Sequence, residues 1–218
     1  SMGSFPSFSA PSLYGGSSKT ACTDEKDYHA KILYARAKDA TDRYQEMAPK
    51  LKGWFKSADG ILNEEAKRFS VSANLKVFCE NGEISVTEVT LSNTSDYYYN
   101  SSDTRGILVS ALALLGYKRQ NEKYIVYYDG GASGCNSSSS TAPCVSQQSE
   151  KGPDDRLSEA NIYNSGPDYA FLYKVDDAIV QQYFGTSYEM LAPILILHEY
   201  AHTMGAVQPS APHSTKKE

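Results

Sequence analysis

The segment His198-Glu199-Tyr200-Ala201-His202, reached through the apolar residues 190–197, constrains this chain more than any other stretch. Positions four apart share one face of an α-helix, so two imidazoles at this spacing can grip one divalent cation only if the segment is helical. Glu199 is then rotated by about 100° from His198, which sets its carboxylate beside a metal-bound water and outside the ligand positions. The apolar run before the motif is what a buried platform for two ligands requires. The plain alternative is a helix end with solvent-facing His and Glu and no metal.

Two ligands do not hold a catalytic zinc, which takes three protein ligands and keeps a fourth position open. Gly205 follows His202 by three residues. A glycine there can take a positive φ, ending the helix and turning the chain back towards the metal. This HExxHxxGxx run resembles the metzincin clan of zinc metallopeptidases, whose third ligand sits three residues beyond the glycine. That position here is Gln208. The fuller run Gly205-Ala206-Val207-Gln208, continuing through Ser210-Ala211-Pro212-His213, resembles a group of secreted, zincin-like bacterial proteins with the same glutamine. Glutamine is a weak neutral oxygen donor, whereas His213 offers a good zinc ligand five residues later, along a path stiffened by Pro209 and Pro212. His213 is therefore the expected third ligand and Gln208 the alternative, with a surface role for His213 as the bland reading.

The resemblance implies an α+β, metzincin-like zincin domain: a twisted mixed sheet packed on a long N-terminal helix and an active-site helix. It implies Zn2+ as cofactor, His198 and His202 as ligands, Glu199 as general base, and a secreted endopeptidase. Such enzymes hold an extended peptide beside an exposed sheet edge, and residues 168–173 are the candidate edge. The metzincin pattern runs on to a methionine-bearing turn beneath the zinc. The sequence reaches Glu218 shortly after His213, so a shortened or differently built floor is expected, and Met204 cannot be given that role by position. Two rival functions share the motif: a catalytically impaired binding or effector module, and a zinc hydrolase acting on a non-protein amide.

Composition removes other classes. The chain has 218 residues, enough to bury roughly 70% of its unfolded surface without a staple. A net charge of −5 argues against a general nucleic-acid or anionic-membrane binder. The longest nearly apolar stretches, 107–116 and 190–197, fall short of the roughly 20 residues of a membrane span. No GxSxG elbow surrounds the serines, and no GK[ST] follows Asp129-Gly130-Gly131, so neither a serine hydrolase nor a phosphate loop is supported. Asp154-Asp155 and Asp176-Asp177 both read as solvated loops before calcium sites, the second pair equally as a cap on the segment that follows, and His29 reads as structural.

Four cysteines allow three connectivities. Cys135 and Cys144 flank a Ser-rich loop that closes easily into a ring, leaving Cys22 with Cys79, and there is no CxxC. Cysteines in so polar a loop point to an oxidising, extracellular compartment. Asn93, Asn100 and Asn136 open Asn-x-Ser/Thr motifs that suit surface loops. Residues 1–27 read as a flexible arm that begins with a tag remnant, and 28–218 as the catalytic domain.

Within that domain, strands are expected at 31–37, 123–128 and 168–173. A hairpin should fold 74–79 onto 83–91 about Asn81-Gly82. Helical spacing covers 42–69, with Pro49 in the first turn and Gly53 and Gly60 as weak points. A second helix runs from an Asp103 or Thr104 cap to Gly116, and the motif helix begins between Ser187 and Pro193. Residues 129–167 read as one long polar loop.

Overall fold

The computed structural model describes residues 21–23, 25–133, 142–149, 154, 156, 158 and 160–206. In chain order the elements are β1 (Ala21–Thr23), β2 (His29–Arg36), α1 (Tyr44–Lys67), β3 (Lys76–Glu80), β4 (Glu83–Ile84) and β5 (Val86–Thr90). There follow α2 (Ser95–Tyr99), α3 (Thr104–Leu114), β6 (Glu122–Tyr128), β7 (Ser146–Gln148), β8 (Asp168–Tyr173), α4 (Asp177–Phe184) and α5 (Tyr188–Thr203). The sheet is ordered β1-β3-β2-β6-β8-β7, with β5 also paired to β2 and β4 to β3. It is mixed: β4 and β7 run antiparallel to their neighbours and the other pairs are parallel.

Every residue of β6 and β8 is buried, which demands cover on both faces. Met47, Leu51, Trp54 and Phe55 of α1 cover one face together with Tyr188, Ala192, Ile196 and Tyr200 of α5. Tyr98 of α2 and Leu108 and Leu112 of α3 pack against Tyr124, Val126 and Phe171 on the other. The long helix and the motif helix thus share a layer, as expected. α2 and α3 add a helical layer on the opposite face, so the mixed sheet is expected while the arrangement is mixed α/β and not α+β. Among the described residues no helix is long and apolar enough to cross a membrane.

Local differences from the sequence reading have local causes. Asn81 and Gly82 take φ of 53° and 81°, the turn that a two-residue hairpin needs. The hairpin ends after two pairs because Val86–Thr90 leaves β3 and joins β2 in parallel. Gly53 and Gly60 do not break α1, and Pro49 sits in its second turn. Asp103 caps α3, its carboxylate accepting the Gly106 N–H at 2.9 Å, and Asp176 caps α4 through the Ala178 N–H at 2.8 Å. His29 is buried, with Nδ1 2.7 Å from the Asp27 carbonyl, a structural role as expected. Asp129 is held by the Tyr34 hydroxyl at 2.7 Å and Arg43 Nη1 at 2.9 Å, so it locks the β6 end to the start of α1. The Cys22–Cys79 disulfide ties β1 to β3; of the other expected bridge, Cys135 lies outside the described residues.

Asp59 of α1 is fully buried, and its Oδ1 accepts the Leu75 N–H at 2.6 Å. Its Oδ2 has no hydrogen-bond partner among the described residues, and burial raises the carboxyl above its ordinary pKa. The folded state therefore keeps a proton that the unfolded chain releases near about pH 3.9. Stability from this group is present at low pH and is lost as pH rises through the folded-state value. Asp59→Asn should flatten that fall in melting temperature; an equally steep fall in the variant would assign it to other groups.

Candidate metal centre

α5 begins where Ser187 accepts the Met190 N–H at 3.3 Å, and Glu189 takes the Trp54 indole N–H at 2.7 Å, fastening the helix to α1. Tyr188, Ala192, Ile196 and Tyr200 recur every four residues and are buried. Burial in this apolar layer pushes the Tyr200 hydroxyl up to about 12. The stripe two positions on, turned about 200° to the opposite face, carries His198, which is exposed, and His202, which is half-buried. The packing that buries the tyrosine stripe thereby leaves both imidazoles at the rim.

The two rings stand nearly perpendicular, with Nε2 of His198 3.1 Å from Nε2 of His202. Two zinc–nitrogen bonds of about 2.05 Å at a tetrahedral angle place their nitrogens roughly 3.3 Å apart, so the pair is set for one ion. His202 Nδ1 lies 3.2 Å from the Ala206 carbonyl. A carbonyl only accepts, so Nδ1 carries the proton and Nε2 turns its lone pair towards His198. One donor atom each from His198, Glu199 and His202 falls within 4.8 Å of the others. These residues could hold a metal ion.

The turn after α5 makes the orienting carbonyl available. Gly205 has φ of 83°, its N–H donates to the His202 carbonyl at 3.0 Å, and the Ala206 N–H donates to the Ala201 carbonyl at 3.0 Å. This left-handed closure is the one glycine favours. A Cβ at Gly205 would also lie 3.2 Å from the Tyr163 ring.

Glu199 is buried, 7% exposed, and its Oε1 accepts the Ser146 hydroxyl at 2.6 Å. Ser146 was not singled out in the sequence. It belongs to β7, a three-residue strand inside the long polar loop, and nothing in Ser-Gln-Gln announces it. The expected edge also moves. β8 is paired with β6 on one side and β7 on the other, so it is an interior strand, and β7 is outermost among the described residues. A three-residue strand of Ser-Gln-Gln carries no apolar alternation to mark it.

The structure thus brings together His198, Glu199 and His202. His213 and Gln208 lie outside the described residues, and Met204 is exposed at the α5 C-cap. Asp154 does not sit in a solvated loop: it is buried, binds Arg156 at 2.5 Å and accepts the Ile162 N–H at 2.9 Å. The Arg156 guanidinium holds its carboxyl well below the usual carboxylate range. It organises its own loop.

No protein-family model matches the sequence, and neither does any curated protein. Two solved structures are similar in backbone. One is the crystal structure of wild-type OgpA from Akkermansia muciniphila, with a TM-score of 0.46 and 14% identity, covering 89% of this chain and 52% of that one. The other is catalytically inactive OgpA from the same organism in complex with an O-glycopeptide (glycodrosocin) substrate, with a TM-score of 0.41 and 14% identity, covering 91% and 50%. The chain spans about half the length of that protein.

Proposed function

We propose that this chain is a secreted, zinc-dependent endopeptidase of metzincin-like build, a hydrolase of peptide bonds. The observation that carries the reading is the pair of imidazole Nε2 atoms 3.1 Å apart with the buried Glu199 carboxylate alongside. His198 and His202 would hold a zinc ion, which would supply Lewis acidity to a peptide carbonyl and bring the pKa of a water to about 7. Glu199 is the group placed to accept the proton of the attacking water and to carry it to the leaving amine. His202 is kept in the ligating tautomer by the Ala206 carbonyl. The substrate is a peptide or protein segment in extended form, laid along the outer side of β7. The Cys22–Cys79 disulfide fits an oxidising, extracellular setting.

His213 is the proposed third ligand, with Gln208 its rival. Equilibrium dialysis against zinc, run on wild type, His213→Ala and Gln208→Ala, tests both assignments. Wild type should bind one zinc, and His213→Ala should lose more than about a hundredfold in affinity, beyond what outer-shell changes cost. The opposite ranking would transfer the role to Gln208. A wild-type protein that stays metal-free at micromolar zinc would end the enzymatic reading.

A further inference from the structure

We infer that Ser146 is a positioning residue that joins the strand edge to the general base; the inference rests on the zinc peptidase reading above. The Tyr173 N–H donates to the Val145 carbonyl at 2.9 Å and the Ser149 N–H to the Tyr169 carbonyl at 2.8 Å. Backbone groups alternate sides along a strand, so residues 145, 147 and 149 turn theirs to β8. The N–H and C=O of Ser146 and Gln148 therefore point to the outer side, where no strand is paired among the described residues. The Gln148 carbonyl already accepts from Arg105 Nη1 at 3.0 Å. A strand added to this edge thus meets the N–H and C=O of Ser146.

The side chain of that same residue holds Glu199. Ser146 pairs with Leu172, whose face of the sheet carries α5, and its hydroxyl reaches across to Glu199 Oε1 at 2.6 Å. The link joins residues 53 apart in sequence. A glutamate side chain has three rotatable bonds, and fixing its carboxylate against the strand that receives the peptide sets the distance between base and scissile carbonyl. One residue thereby touches the substrate through its backbone and orients the base through its hydroxyl. Threonine keeps the hydroxyl and suits a strand; alanine keeps the strand and loses the hydroxyl.

The test uses cobalt(II) as a visible reporter of the metal site and acetohydroxamic acid as the probe. That chelator binds the ion through its oxygens and shares its proton with the neighbouring carboxylate, so its affinity reads the placement of Glu199 without turnover. Wild type, Ser146→Ala and Ser146→Thr are loaded with cobalt(II) and titrated with acetohydroxamic acid by absorbance. Ser146→Ala should bind cobalt(II) as wild type does while its hydroxamate affinity falls about tenfold, and Ser146→Thr should restore it. Equal hydroxamate affinity in wild type and Ser146→Ala would overturn the positioning role and leave the peptidase reading standing. Loss of cobalt(II) from Ser146→Ala would overturn it too, since the serine would then support the metal and not the base. A wild-type protein that binds no cobalt(II) would remove both.

Discussion

Glu199→Gln should lower kcat for a quenched peptide by about 10²–10⁴-fold, the contribution of a positioned general base, while the protein keeps its zinc. The amide preserves the shape of the carboxylate and can still accept the Ser146 hydroxyl, but it cannot take a proton from water. Metal content and cleavage must be measured on the same preparation. Unchanged cleavage in Glu199→Gln would refute the assignment of the base. Lost cleavage together with lost metal would make Glu199 a support of the site and no longer its proton carrier. Zinc bound by wild type without turnover of any peptide would favour the catalytically impaired effector module.

The second large effect concerns the far edge of the sheet. Cys22 and Cys79 are 57 residues apart, and cross-linking a loop of that length removes unfolded-state entropy worth about 4 kcal/mol. Replacing both cysteines with serine should therefore lower the urea midpoint by a matching amount. Substitution is the cleaner route than reductant, because Cys144 is itself disulfide-bonded. β1 makes three register pairs with β3, too few to keep it docked without the covalent tie. Amide exchange in 21–23 should accelerate in the variant. A stability loss below about 1 kcal/mol would mean that the unfolded chain is already compact around this loop.

Much of the scaffold could be read from residue types. β6 from Tyr124 and β8 from Tyr169 are almost unbroken runs of Tyr, Ile, Val, Phe, Leu and Ala, the composition of a strand buried on both faces. The motif helix followed from its apolar approach and from Gly205, whose positive φ duly closes it. The cap at Asp176-Asp177 is offered by the sequence, but the helix it opens, α4, and its end at Gly185 with φ of 69° are not. The surrounding loop-like composition obscures them. β7 is different in kind. Ser-Gln-Gln has no intrinsic reason to be extended, and only pairing with Phe171 and its neighbours makes it a strand.

The candidate site divides along the same line. His198, Glu199 and His202 are three positions of one helix, and helix geometry alone places them. Ser146 depends on the register of β7 against β8 and on the seat of α5 above them, which no local pattern encodes. The misplaced edge has the same origin: 168–173 looked like a terminal strand because its outer partner, β7, lies earlier in the chain and is polar.

The single tryptophan has a practical consequence. Trp54 lies against the Tyr127 and Tyr188 rings, and its indole N–H ends on Glu189 in the first turn of the helix that carries both histidines. Its emission is therefore an internal optical gauge of how that helix is seated. Any metal, peptide or inhibitor that shifts the helix will register in the ultraviolet without a label.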